Sequence, residues 1–287
     1  MPTTGAYRRG TPFARNGDVR VHYRDEGKGP PLVLMHGSAA SSEYFYSMGW
    51  VDALKDQYRL VPIDSRGNGQ SDKPHETEAY RVRSMAEDVV AVLNDLGIDR
   101  THYFGYSMGG IIGWGLGRHA PERVASLVIG GYGMDDADPS HSDPEWQQYF
   151  DLLRAGSEAI VKSFREEVEK ERKTAQNPAL MDSLFPLRLK VASSCDPEAL
   201  LALHMSLQKE EMHIPELLPR LAIPCLLFVG EADGTFESAK KASRIIRHGR
   251  LVSFPGIGHM ETWARVDLVL PHVLRFLGDV DKGVPIG

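Results

Sequence analysis

Cysteine is nearly missing from this chain. Its 287 residues include two, Cys195 and Cys225, far apart and with no paired-ligand spacing around either. A disulfide framework and a cysteine-built zinc cluster are both excluded, which suits a reducing compartment. Long apolar runs are missing too. Met1 to Arg9 has no apolar stretch after its basic pair, and no later segment approaches the ~18 uninterrupted apolar residues of a membrane span. The expectation is a soluble, cytoplasmic protein with no membrane partner. Nor is there an excess of positive charge: 39 acids against 33 bases give −6, so no basic field is available for a phosphate backbone and nucleic acid is not an expected partner. Neither an internal repeat nor a low-complexity segment is visible.

What is present is an ordinary globular balance, 42% hydrophobic and 25% charged. The length allows one large domain, or one domain with an insertion. Short apolar runs recur at Val19 to Tyr23, Pro31 to Met35, Tyr58 to Ile63, Thr101 to Phe104, Val124 to Ile129, Cys225 to Val229 and Leu251 to Phe254. Their β-branched and aromatic content reads as strands. Between two of them, Val82, Met85, Val89, Leu93 and Leu96 recur at steps of three or four, which predicts a helix from Tyr80 to Leu96 stopped by Gly97. A closing helix is expected from Asp267 to Leu277. Strands alternating with helices predict an α/β fold with a mostly parallel sheet. The alternation lapses between Gly133 and about Pro215, where prolines punctuate a charged stretch of helix formers. Residues 135–215 hold 16 acidic and 9 basic side chains, a net −7, against +1 for the rest. This stretch reads as several short helices over one edge of the sheet, dividing the chain into a core of 1–134 and 216–287 and an insertion of 135–215.

The sharpest local signal is Gly105-Tyr106-Ser107-Met108-Gly109. Placed after a strand and before a glycine-rich helix, G-x-S-x-G permits a sharp turn that lifts the serine hydroxyl clear of the sheet. Met35-His36-Gly37-Ser38 ends another predicted strand. Acyl transfer needs two backbone N–H groups for the oxyanion, and these are assigned to Ser38 and to Met108, the residue after the serine. A nucleophilic serine also needs a base and a carboxylate to orient it. His259, in the glycine-rich loop after the last strand, has the best context of the 11 histidines; His248 and His272 sit in helical or turn segments. Asp233 follows the strand Cys225 to Val229 and so reaches the carboxyl edge of the sheet, where sites of open α/β folds collect. Glu231, Asp135 and Asp136 are its rivals.

Together these residues resemble the α/β-hydrolase superfamily, and the similarity spans Val19 to Leu277 apart from the insertion. Asp64-Ser65-Arg66-Gly67-Asn68-Gly69-Gln70-Ser71-Asp72 adds to it, as a structural turn. The resemblance implies an α/β-hydrolase fold: a mostly parallel eight-stranded sheet flanked by helices, with the insertion as a helical cap. Epoxide hydrolases and haloalkane dehalogenases of this fold carry aspartate at the elbow, so Ser107 points to acyl transfer instead. Gly105 to Gly110 is similar to the elbow of cofactor-free haloperoxidases and perhydrolases, and Met260 to Trp263 faintly resembles the tryptophan region of carbon–carbon bond hydrolases. The expected function is a serine hydrolase of carboxylic esters, with Ser107, His259 and Asp233 as the triad and no metal or cofactor. The negative insertion disfavours strongly anionic substrates, so the expected substrate is a neutral ester of small to medium size. Possible wall residues are Tyr106, Met134, Trp146, Met205, Met212, Met260 and Trp263. Alternatives are a lactone or carbon–carbon bond hydrolase using the same triad, for which an anion-binding arginine such as Arg154, Arg165 or Arg188 would be expected, and a non-catalytic ligand receptor of the same fold. The chain is expected to be a monomer or homodimer.

Overall fold

The structure, a computed structural model, describes residues 12–134, 144–210 and 213–286, the side chains of 144–146 excepted. Among the described residues nine strands form: β1 Phe13–Asn16, β2 Val19–His22, β3 Glu26–Gly27, β4 Pro31–Met35, β5 Arg59–Ile63, β6 Thr101–Tyr106, β7 Val124–Gly130, β8 Cys225–Gly230 and β9 Gly249–Phe254. Seven of them make one sheet in the order β3-β5-β4-β6-β7-β8-β9, parallel throughout except at β3. The period-two alternation of side chains divides the core between the two faces. Val33, Met35, Tyr103, Leu127, Leu227 and Val229 pack on one face. Leu32, Leu34, Phe104, Val128, Leu226 and Phe228 pack on the other.

The expected fold is the one observed, but among the described residues the continuous sheet has seven strands rather than eight. The strand expected from Val19 to Tyr23 pairs instead with β1 as an antiparallel ribbon and touches the sheet through the Tyr23–Ile63 bridge. Pro62 explains the break. Its carbonyl accepts the Arg24 N–H at 2.9 Å, yet proline has no N–H to return, so the ladder lapses before resuming at β3. Neither β1, with a single buried side chain, nor the two-residue β3 carries a readable apolar pattern.

Helices cover both faces: α1 Glu43–Ser47, α2 Trp50–Leu54, α3 Val82–Asp95, α4 Met108–His119, α5 Pro144–Arg154, α6 Ser157–Thr174, α7 Pro178–Ser194, α8 Pro197–Lys209, α9 Ile214–Leu217, α10 Phe236–Ile245, α11 His259–Ala264 and α12 Val266–Asp281. Helix α3 ends where Gly97 predicts. With φ at +63°, Gly97 donates to Asn94 O and Ile98 donates to Leu93 O, closing the last turn. The helices between β7 and β8 are longer than expected, with 18 residues in α6 and 17 in α7. Pro144, Pro178 and Pro197 each open a helix at its first residue, where no N–H is needed and the fixed φ suits the turn. Pro186 sits inside α7 without ending it. Helix α7 packs on α1 and α11, which brings this insertion over the carboxyl ends of the strands. Among the described residues, no helix is long and apolar enough to cross a membrane.

The strand order places the site. From β4 the chain moves outward to β5, then returns across β4 to form β6 on its other side. The loops leaving β4 and β6 therefore diverge at a switch point, and a crevice opens between them.

Candidate active site

Ser107 stands between β6 and α4 with φ 55° and ψ −115°, a left-handed conformation that costs a non-glycine residue on the order of 1–3 kcal/mol. Its neighbours hold it there. The Ser107 N–H donates to Gly130 O at 2.8 Å, tying the turn to the end of β7. Gly109 permits the close approach on the other side, since a Cβ there would lie 2.3 Å from Met35 O. A Cβ on Gly37 would lie 3.2 Å from Ser107 Cβ, so the loop after β4 runs directly against the elbow. Among the described residues neither the Ser38 nor the Met108 N–H has a hydrogen-bond partner. Met108 is the first residue of α4, where the helix leaves its N–H groups unpaired and its dipole positive.

His259 opens α11, and its Nδ1 lies 2.6 Å from Asp233 Oδ2. The other carboxylate oxygen, Oδ1, accepts the Thr235 N–H and hydroxyl at 2.9 and 3.0 Å. Burial alone would push the Asp233 carboxyl up. The His259 hydrogen bond and charge, with the Thr235 donors, outweigh it and hold the group below the usual carboxylate range. An ionised Asp233 accepts a hydrogen bond from Nδ1–H of His259, which leaves Nε2 as the nitrogen free to act as a base. Asp233 is buried while the His259 side chain is 36% exposed. Gly131, at φ +59°, passes beneath the imidazole; a Cβ there would lie 2.8 Å from His259 Cε1. Ser107, through its N–H, and the His259 ring both adjoin the Gly130–Gly131 segment, with no hydrogen bond between the Ser107 hydroxyl and the ring.

The rivals of Asp233 and His259 lie elsewhere. Glu231 is exposed and accepts the Ser253 hydroxyl at 2.8 Å. His248 Nδ1 lies 3.3 Å from the Ile286 carbonyl, and His272 is in α12 beside Phe254. Asp135, Asp136 and Met212 fall outside the described residues, as does the Trp146 side chain.

Tyr106 and Trp263, expected as pocket walls, are corrected: both are fully buried beneath the site. Tyr106 stacks on Trp263 at 4.8 Å and Trp263 on Tyr44 at 5.3 Å, with ring planes within 6° and 5° of parallel. The Tyr106 hydroxyl donates to the His259 carbonyl at 2.5 Å. These rings have no water-facing surface to offer a ligand; they form the floor. Met134, Met205 and Met260 keep partial exposure. A cavity of about 220 Å³ opens beside His259 and Met260, with Glu171 and Glu261 in its wall. Two other hollows, about 320 and 730 Å³, meet at Lys73, Ser194 and Cys195 and are lined by none of Ser107, Asp233 or His259. Among the described residues, no three His, Cys, Asp or Glu side chains are grouped to hold a metal ion.

Two supports escaped the sequence. Buried His36 is lowered in pKa by desolvation and stays neutral: Nε2 accepts the Ser65 N–H at 3.1 Å, so Nδ1 carries the proton, donated to Gly37 O at 2.7 Å. It braces the loop that presents Ser38. Second, His204 of α8 reaches down from the insertion to place Nε2 2.8 Å from Ser38 Oγ. Nothing in the local pattern of α8 marks that histidine.

A model of the α/β-hydrolase fold family matches residues 30–263. The chain belongs to that family. Among solved structures, a hydrolase of Pseudomonas aeruginosa PA01 is similar with a TM-score of 0.79 at 22% identity, covering 95% of this chain and 100% of that one. The esterase RhEst1 of Rhodococcus sp. ECU1013 is similar at 0.77 and 24%, covering 94% and 98%. By sequence, the cis-3-alkyl-4-alkyloxetan-2-one decarboxylase of Shewanella oneidensis is 34% identical over 132 residues. That stretch takes in 44% of this chain and 41% of the relative, so the chain matches less than half of that relative's length.

Proposed function

We propose that this α/β-hydrolase is a serine hydrolase of carboxylic esters, acting through an acyl-enzyme on neutral substrates of small to medium size. The observation that carries the reading is the 2.6 Å contact of His259 Nδ1 with Asp233 Oδ2, made at the strand edge where Ser107 stands on its strained turn. Nε2 of His259 takes the Ser107 proton as Oγ attacks the ester carbonyl. The Ser38 and Met108 N–H groups receive the oxyanion, and their lack of partners among the described residues supports that role. As the tetrahedral intermediate collapses, the C–O bond to the alcohol breaks and His259 returns the proton to it. Water, deprotonated by the same nitrogen, then cleaves the acyl-enzyme. A motion of a side chain or loop closes the Ser107–His259 hydrogen bond when substrate enters, as catalytic contacts commonly tighten in the complex.

In this reading residues 135–215 are the cap. Their net −7 disfavours anionic substrates. Arg188, the buried arginine of α7, is already neutralised by Glu171 at 2.5 Å, and Arg154 pairs with Asp151. This argues against the anionic diketones of carbon–carbon bond hydrolases. Cyclic esters are the second reading, favoured by the name of the Shewanella relative. Hydrolysis of p-nitrophenyl esters and of small lactones by the wild type and by Ser107→Ala tests both. Loss of the serine should cost on the order of 10³ to 10⁶ in turnover. A Ser107→Ala enzyme at near wild-type rate rejects the reading.

A further inference from the structure

Ser38 reaches the site through a side chain as well as an amide. Its hydroxyl lies 2.8 Å from His204 Nε2, and the Tyr149 hydroxyl of α5 lies 3.2 Å from the same nitrogen. The Tyr149 ring stands edge-on to the imidazole, centroids 4.9 Å apart at 84°, which holds the imidazole plane. Burial pushes His204 down to about 4, so the ring carries a single proton at neutral pH. Ser38, Ser107 and His204 all keep partial accessibility; they border space rather than sealed core.

One ring nitrogen therefore faces two hydroxyl oxygens. A lone pair on Nε2 accepts one proton well and no more, whereas each hydroxyl oxygen has two lone pairs. A proton on Nε2 is the arrangement that both oxygens can share. Ser38 Oγ then accepts from His204 and keeps its own proton to donate. Among the described residues Ser38 Oγ has no other partner, and the loop that carries it runs against Ser107 through Gly37.

We infer that the Ser38 hydroxyl is a third donor to the oxyanion formed at Ser107, and that His204 is the positioning residue that turns its proton there. The inference rests on the acyl-transfer reading above. No proton changes hands: Nε2–H donates to Oγ, and Oγ–H donates to the oxyanion while it lasts. The insertion would then supply part of the transition-state stabilisation, through a contact between residues 166 positions apart.

Two measurements on the full chain test it. Nitrogen-15 NMR of the histidine rings, without substrate, should find the His204 proton on Nε2; a proton on Nδ1 overturns the inference, because Ser38 would then spend its proton on the ring. In ester kinetics, Ser38→Ala should lower kcat on the order of 10²-fold, the usual effect of one oxyanion donor, with little change in KM. His204→Phe should lose no more than that, the double variant should match Ser38→Ala alone, and His204→Gln should recover rate because its amide N–H can still donate to Oγ. Losses that multiply in the double variant, or that fall on KM alone, overturn the inference and leave the acyl-transfer reading standing. A Ser107→Ala enzyme that keeps its rate overturns both.

Discussion

The Tyr106 hydroxyl donates to the carbonyl of His259 at 2.5 Å, so the residue before the elbow serine also fixes the backbone of a histidine 153 positions later. Burial pushes the Tyr106 phenol well above its ordinary value, and the group remains a donor at any working pH. The strand that leads to Ser107 and the loop that carries His259 are thereby one mechanical unit, stacked on Trp263.

Tyr106→Phe keeps the stack and removes the hydroxyl's hydrogen bonds, that to the His259 carbonyl among them. The expected cost is about 1–3 kcal/mol from the orphaned carbonyl, with kcat down about tenfold as His259 loosens and small shifts of the ring lower the rate. Urea unfolding and ester kinetics on the same variant check both halves. A variant with wild-type kcat shows that the tyrosine holds no catalytic geometry.

Asp233→Asn should leave the fold in place, because Thr235 can still donate to the amide oxygen. An asparagine can offer N–H to His259 Nδ1 and favour the wrong tautomer. Turnover should fall by about 10⁴ while thermal stability moves little. Glu231→Gln, on the exposed rival, should change kcat less than twofold in the same assay.

Gly109→Ala tests the packing beneath the elbow. The added methyl meets Met35 O at 2.3 Å, a backbone atom with no freedom to retreat. A loss of about 3 kcal/mol in stability is expected, read as a lower Tm with activity falling in step. A variant as stable as the wild type is incompatible with this contact.

The acid limb of stability should have two components of the same sign. Buried Asp64 accepts the Ser42 N–H at 2.7 Å, the Gln70 N–H at 2.9 Å and His22 Nδ1 at 2.9 Å. Burial raises its pKa, but these hydrogen bonds, that of His22 foremost, outweigh burial and hold it far below the usual range. A carboxylate depressed in the folded state stabilises above its unfolded pKa of about 4 and loses that contribution as pH falls further. His204, at about 4 by burial, resists a proton that the unfolded chain binds near 6.5, so stability also falls as pH drops from about 6.5 toward 4. Denaturation midpoints across pH 3 to 8 should show both slopes. His204→Gln should flatten the upper one and Asp64→Asn the lower; unchanged profiles contradict the assignment.

The local signals in this chain were those with a backbone cause. A glycine-flanked serine after a strand demands a sharp turn, and Ser107 makes it. Gly97 ends α3 because a left-handed residue closes its carbonyls. Three insertion prolines lie at helix starts, whereas Pro186, identical as a symbol, lies inside α7 because tertiary packing outweighs one lost hydrogen bond. The eighth strand failed for a reason that needs a partner to see: Pro62 matters only because Arg24 lies opposite it.

Taken alone, the order of residues determined where the chain bends, which faces are apolar, that the insertion is acidic, and that a serine, an aspartate and a histidine follow strands in that sequence. Tertiary structure alone decided which groups meet. It set Asp233 rather than Glu231 on His259, turned Tyr106 and Trp263 from walls into floor, and brought His204 down to Ser38. Backbone geometry follows from neighbours a few residues apart, while such meetings depend on strand order and on how the helices of the insertion settle over the sheet, both set by packing across the whole chain.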